Sequence, residues 1–307
     1  SPSADVPIDL TVVVLRWLQF AAAVVALGLP LFQIYAPGPV PSRSARRVAI
    51  TAGLLLAVGA AGGLVAQTAM MAGSWAAAFD PASIGYVIQS TALGMAHIAR
   101  AALALLGVAI LMFRQDRKVA GLMAVMAFAG ATASFAWSGH GAASEGAGGL
   151  IHLIADIIHA LAAAVWLGAL AGFCIRLCRP FGGEIETTTR SLTVFAMVGS
   201  AAVSVLVLTG LINAGVLIGI DGVVRVASST WGLLLLGKLA LFILMVGLAA
   251  HNRFTLTPAL ARAITHDTAT DGPVRRLQLS IGLEMAAGLV LLGLVAAMGV
   301  QMPPASM

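Results

Sequence analysis

The chain has 307 residues, of which 60% are hydrophobic and only 9% are charged, and its mean hydropathy is +1.00. This composition excludes an ordinary soluble globular protein, in which about 25% of residues are charged, and it indicates a polytopic membrane protein. The net charge of +5 does not indicate nucleic-acid binding, because the basic residues lie where membrane topology requires them.

Apolar runs predict an all-α bundle of eight transmembrane helices that forms one integral membrane domain over residues 1–307. Each run is long enough to cross about 30 Å of hydrocarbon at a rise of about 1.5 Å per residue. In chain order, the predicted spans are 10–34, 47–73, 83–113, 117–138, 149–178, 191–219, 231–255 and 275–301.

The basic residues predict the orientation of this bundle. Thirteen of the seventeen Lys and Arg residues fall in the loops after the odd-numbered spans, whereas the loops on the opposite side hold only Arg225. The other three, Arg16, Arg100 and Lys238, lie within predicted spans. The positive-inside rule therefore predicts that both termini face outward, which means the periplasm for a bacterial inner membrane.

The fifth predicted span, with the loop before it, is the most informative segment. His152, Asp156 and His159 are spaced i, i+4 and i+7, which places them on one face of a helix. Ionisable groups inside a membrane are costly and are therefore candidates for a functional site. His140 lies in the preceding outer loop, so these four residues are expected to be ordered by depth from the outer surface.

Several motifs resemble those of the CopD (PcoD, YebZ) family of copper-resistance membrane proteins. They are Ser138-Gly139-His140, His152-x3-Asp156-x2-His159 with Trp166-Leu167-Gly168, Gly237-Lys238-Leu239, and Asn252-Arg253-Phe254 with Pro258. The resemblance covers most of the chain. It implies a bacterial inner-membrane protein that brings copper from the periplasm to the cytoplasm. By analogy, it assigns His140, His152, Asp156 and His159 to the copper site.

The chemistry of these side chains suits copper. Imidazole binds both Cu(I) and Cu(II), whereas thioethers and thiolates favour Cu(I). We expect His140 and His152 to form an entrance and Asp156 and His159 to form a second binding step. Alternatively, Asp156 accepts a hydrogen bond from a ligand imidazole and orients it.

A ligand from another helix is expected to complete this metal site, because His152 and His159 differ by roughly 10 Å along the helix axis. His97 and Met95, near the middle of the third predicted span, are the best candidates. The alternative for His97 is a structural one, in which it only hydrogen-bonds a neighbouring helix.

Other polar or sulfur-containing residues leave alternatives open. Glu284 in the eighth span is expected either to pair with Lys238 or Arg100, or to couple proton movement. Two further sets are either Cu(I) ligands or ordinary packing residues: the cysteine pair Cys174 and Cys178, and the methionine pair Met70 and Met71.

Three functions are compatible with these residues: copper transport, haem b binding with His97 and His159 as axial ligands, and copper delivery without transport. We expect no enzymatic activity, and the sequence contains no nucleotide-binding loop. The expected partners are a copper ion, the lipid bilayer and a periplasmic copper-carrying protein, with no role for nucleic acid.

Overall fold

A computed structural model describes residues 8–36, 38, 43–113, 117–138, 146–178, 182–226 and 228–306. All the secondary structure within these ranges is helical, in agreement with the predicted fold class. The α-helices are, in chain order, α1 (Ile8–Tyr35), α2 (Arg43–Ala72), α3 (Trp75–Ala78), α4 (Pro81–Ser90), α5 (Ala92–Phe113), α6 (Arg117–Ala133), α7 (Gly146–Leu177), α8 (Gly182–Val226), α9 (Thr230–His251), α10 (Thr257–Thr265) and α11 (Asp271–Met298).

Eight helical segments of the described residues are long and apolar enough to cross a membrane, which confirms the predicted number. They are Ile8–Tyr35, Arg43–Ala72, Ala92–Phe113, Lys118–Ser138, Gly148–Leu177, Ile185–Gly219, Thr230–Thr265 and Asp271–Met298. The orientation of the termini stays a prediction. We call the end of the bundle at which α1 begins the terminal end, and the opposite end, where α2 begins with Arg43, the basic end.

The third predicted span differs from the structure, because residues 83–113 form two helices rather than one. Thr91 adopts an extended conformation between α4 and α5, with φ −131° and ψ 141°. Its hydroxyl donates to the carbonyl of Val87 and accepts from the N–H of Gly94 at 3.0 Å. Thr91 therefore ends α4 and caps the beginning of α5, because its hydroxyl takes the place of backbone groups as a hydrogen-bond partner.

A single π-helical turn, Asn252–Leu256, connects α9 to α10. Pro258 explains this change, because it has no N–H to donate to the carbonyl four residues earlier, and its ring crowds that position. Asn252 is buried in this turn, whereas Arg253 and Phe254 are exposed. The turn thus places one amide side chain inside the bundle.

Helix α1 lies at the centre of the bundle and packs against α2, α6, α7 and α11. Its closest approach to α7 is at Gly28 and Gly168. A Cβ on Gly168 would lie only 2.2 Å from the Cα of Gly28. Small residues of this kind allow membrane helices to pack backbone against backbone.

Candidate metal site in the terminal half of the bundle

A cavity of about 230 Å³ lies inside the terminal half of the bundle, between α1, α6, α7, α8, α9 and α11. His152, Asp156 and His159 all line it, as do Arg16, Thr132, Asn213, Trp231 and Lys238. We call it the His–Asp cavity. At about 30 Å³ per water molecule, it has room for an ion together with several waters.

Of His152, Asp156 and His159, His152 is the most buried, with 1% of its surface exposed. Neither of its ring nitrogens has a hydrogen-bond partner among the described residues. Buried polar atoms are nearly always paired, so each exception requires an explanation. An imidazole that lines a cavity with both nitrogens unpaired is suited to bind a metal ion or water there.

His159 lies two helical turns deeper, and its hydrogen bonds define its tautomer. Its Nδ1 is 2.8 Å from the hydroxyl of Thr209, which itself donates to the carbonyl of Val205 at 2.7 Å. Because the Thr209 proton is used in that bond, Nδ1 must carry the proton that lies between the two residues. The Nε2 lone pair is then the one available to a metal ion, and Thr209 fixes the ring orientation.

Asp156 lies between the two histidines in sequence and is half-buried. Its Oδ1 accepts a hydrogen bond from Nδ2 of Asn213 at 2.7 Å. Asn213 Oδ1 has no partner among the described residues, so it presents a second oxygen to this region. Asp156 also interacts electrostatically with Lys238 on α9.

Two cationic side chains share the His–Asp cavity with the single carboxylate of Asp156. They are Lys238 and Arg16, whose Nη1 donates to the carbonyl of Ser138 at 3.2 Å. With neutral imidazoles and with both Lys238 and Arg16 protonated, the lining residues carry a net positive charge. This charge opposes tight binding of a bare cation, and it favours ligand exchange over permanent retention.

The donor set fits copper without forming a closed cage. Imidazole nitrogen, carboxylate and amide oxygen line one cavity. Within the described residues, however, no group of three or more His, Cys, Asp or Glu side chains is close enough together to hold a metal ion. The arrangement resembles successive weak sites more than a structural metal centre.

The other predicted ligands are not brought to this cavity within the described part of the chain. His97 is buried elsewhere, where its Nδ1 donates to the carbonyl of Leu93 and its Nε2 lies close to Gly63. The Met95 side chain is 55% exposed. His159 lines the His–Asp cavity, whereas His97 is not among its lining residues. His140 lies outside the described residues.

Of the two alternatives for Glu284, the ion pair with Lys238 or Arg100 is not formed. Glu284 instead accepts hydrogen bonds from Trp166 and Asn252. Arg100 is fully buried and donates to Gln19 and to two serines, Ser134 and Ser138. Among the remaining candidates, Cys174 is half-buried, while Cys178, Met70 and Met71 are exposed.

Sequence patterns alone did not identify the partners of the α7 residues. Thr209 and Asn213 both lie on α8 and are spaced i, i+4, so they present one polar face to α7. Their signal in the sequence is the occurrence of amide and hydroxyl groups in an otherwise apolar span. Such groups are common at helix contacts, so the signal is weak.

Eight membrane-crossing helices around an internal His–Asp cavity define a multi-pass membrane protein with a polar site inside its bundle. Comparison with known families then identifies it more narrowly. Residues 7–150 match the copper resistance protein D-like N-terminal domain, and residues 189–298 match copper resistance protein D. The chain belongs to the copper resistance protein D family.

Two relatives support this assignment over nearly the full length. Copper resistance protein D of Pseudomonas syringae pv. tomato is 36% identical, over 95% of this chain and 96% of its own. Inner membrane protein YebZ of Escherichia coli (strain K12) is 27% identical, over 81% of this chain and 86% of its own. No solved structure matches the chain. The protein is therefore a multi-pass inner-membrane protein with a copper-related role.

Proposed function

We propose that the protein carries copper across the inner membrane from the periplasm to the cytoplasm, with the His–Asp cavity as its first internal binding site. The observation that carries this proposal is the pair of imidazoles in one cavity. His152 has two unpaired ring nitrogens, and His159 has Nε2 available while Thr209 holds Nδ1. Both are ligands that copper accepts in either oxidation state.

The expected orientation gives this cavity its role. By the positive-inside rule, the terminal end faces the periplasm, so the His–Asp cavity lies in the outer half of the membrane. His140, which precedes α7 in the sequence, is a candidate first contact for copper brought by a periplasmic copper-carrying protein. From there the ion passes to His152 and then to His159, with Asp156 as a carboxylate ligand or a neighbouring counter-charge.

The test of this proposal is copper uptake by proteoliposomes that contain the purified protein. We expect uptake to exceed that of protein-free vesicles and the purified protein to show no haem absorption. Copper binding without uptake would instead indicate a delivery partner, and a Soret band would indicate a haem protein. Either result would overturn the proposed transport. We also propose that the protein catalyses no chemical reaction on its cargo.

Replacement of Lys238 with methionine is expected to strengthen copper binding on the order of tenfold. The ammonium group repels an incoming cation and also interacts with Asp156. Two unit charges about 10 Å apart at an effective dielectric constant of about 20 interact by roughly 1.5 kcal/mol, which corresponds to about a tenfold change in affinity. Equilibrium copper titration of the purified variant measures the change.

Lys118, the other lysine of the chain, supplies the matched control. It is exposed at the beginning of α6, at the basic end of the bundle. Lys118→Met makes the same change in composition and net charge, and copper affinity should stay at the wild-type value. Weaker copper binding in Lys238→Met would contradict the assigned role of Lys238 as an opposing charge.

A further inference from the structure

A second cavity, of about 320 Å³, lies in the basic half of the bundle between α7, α8, α9, the π turn and α11. Apolar side chains form most of its wall, and Glu284 and Asn252 are its most deeply buried polar residues. We call it the Glu284 cavity. Its rim carries the exposed residues Ser200, Ser204 and Arg253.

The carboxyl group of Glu284 is buried without a cationic partner. Only 1% of the residue is exposed, and no Lys, Arg or His nitrogen of the described residues lies within 4.0 Å of it. Trp166 Nε1 donates to Oε1 at 2.8 Å, and Asn252 Nδ2 donates to Oε2 at 3.0 Å. A carboxyl group at such a place in a membrane protein must bind a proton or contact water.

Asn252 is able to serve both protonation states of this carboxyl group. It is 7% exposed, and its Oδ1 has no hydrogen-bond partner among the described residues. When Glu284 is ionised, the amide nitrogen of Asn252 donates to Oε2. When Oε2 carries a proton, rotation of the amide by 180° brings Oδ1 to the same position as an acceptor. Trp166 donates to Oε1 in both states.

The surroundings of Glu284 differ between its two sides. Towards the His–Asp cavity, Leu167 and Met245 close the bundle against Gly288 of α11, where a Cβ would lie 2.4 Å from Cδ2 of Leu167. Leu167 and Met245 are both buried. On its other side, the cavity lining includes the exposed hydroxyl groups of Ser200 and Ser204, and Arg253 Nη1 donates to the hydroxyl of Ser200 at 2.7 Å.

We propose that Glu284 is a proton-binding site that exchanges its proton with water that enters the Glu284 cavity. Uptake forms a bond between Oε2 and the proton and gives the neutral acid, and release returns the proton to water and regenerates the carboxylate. If copper transport is confirmed, this site offers a means to link it to a proton gradient. That link rests on the proposed function, whereas proton binding does not.

The other ionisable groups near Glu284 come from α7, the π turn and the end of α9. Cys174 of α7 interacts electrostatically with Glu284, and Arg253 of the π turn lies at the cavity rim. His251, at the end of α9, is exposed. The residues of α8 and α11 that line the cavity contribute no ionisable group besides Glu284. Glu284 is thus the single carboxyl group of this cavity lining.

Infrared difference spectroscopy of the reconstituted protein over a pH series, without copper, tests the proposal. We expect a protonated-carboxyl band that titrates reversibly in wild type and is absent from Glu284→Gln. Glu186→Gln should retain the band, because Glu186 is exposed and pairs with Arg190. A spectrum of Glu284→Gln identical to wild type, or a Glu284 band that never changes with pH, would overturn the proposal.

Asn252→Leu separates proton binding from a purely structural role of Glu284. Loss of the amide should move the titration midpoint of the Glu284 band by at least about one pH unit, a tenfold change in proton affinity. An unchanged midpoint would contradict the assigned role of Asn252. If Glu284→Gln fails to fold, Trp166→Phe is the second test, because it removes the other hydrogen-bond donor to Glu284 and should also move the titration midpoint of the Glu284 band. An unchanged midpoint in both Asn252→Leu and Trp166→Phe would overturn the proposal.

Failure of this proposal is distinguishable from failure of the transport proposal. If vesicles with the wild-type protein take up no copper but the Glu284 band titrates, only the transport proposal is overturned. Uptake that proceeds normally, with no titrating Glu284 band, would overturn only the proton site.

Discussion

Replacement of both His152 and His159 with alanine is expected to lower copper affinity by at least about a hundredfold. Loss of a residue that merely orients a metal ligand costs roughly 10- to 100-fold in affinity, and here two direct ligands are removed. The fold should persist, because His152 makes no hydrogen bond among the described residues, and the hydrogen bonds of His159 go to one short stretch of α8, at Thr209 and the Leu206 backbone. Equilibrium copper titration and metal analysis of the purified variant measure the effect.

Two histidines in the basic half of the bundle provide the matched control. His251 and His266 are both exposed, and neither lines the His–Asp cavity. Their double replacement with alanine should leave copper affinity unchanged. If copper stoichiometry and uptake are equal in the two double variants, the assignment of copper to the His–Asp cavity is wrong.

A milder substitution, at the hydrogen-bond partner of His159, tests the tautomer of His159. Thr209→Val keeps nearly the same shape but removes the hydroxyl that accepts from Nδ1. Copper affinity should fall by about tenfold, less than after loss of the imidazole itself, because the ring then loses its orientation. An effect as large as that of His159→Ala would contradict a positioning role.

Replacement of Gly168 with alanine is expected to destabilise the bundle by about 3 kcal/mol or more. The added Cβ would lie 2.2 Å from the Cα of Gly28 and 2.9 Å from the carbonyl oxygen of Val24. These are backbone atoms, so α1 and α7 must move apart, and overpacking of this kind typically costs 1–3 kcal/mol even against side chains. Thermal unfolding in detergent should show a lowered midpoint.

Gly247→Ala is the control for this substitution. Gly247 lies inside α9, and a Cβ there meets nothing within 4 Å. Alanine is the better helix former by up to about 1 kcal/mol, so this variant should be as stable as wild type or more stable. Equal losses of stability in the two variants would show that the α1–α7 contact is not the cause.

Much of the architecture follows from local patterns. Eight apolar runs are sufficient to predict eight membrane-crossing helices, because a helix is the simplest way to satisfy backbone hydrogen bonds in hydrocarbon. The spacing of His152, Asp156 and His159 predicts one helix face, and all three line one cavity. The break at Thr91 was missed, because a hydroxyl that caps a helix looks like any other polar residue in an apolar run.

The contacts between helices, in contrast, could not be predicted from local patterns in the sequence. Met95 is close to His97 in sequence, yet its side chain is exposed, whereas His97 packs towards Gly63 of α2. Similarly, Glu284 bonds to Trp166 and Asn252 rather than to a cation. In a membrane nearly every helix face is apolar, so hydrophobicity does not identify which faces meet, and depth estimates alone give too many candidate partners.

The sequence by itself determined the membrane class, the number of spans and the helix face that carries His152, Asp156 and His159, because these depend only on hydropathy and the helical repeat. Only the tertiary structure decided what that face meets. The backbone contact between Gly28 and Gly168 brings α7 against α1, and α8 supplies Thr209 and Asn213. These pairings arise from packing between distant segments, which no local pattern encodes.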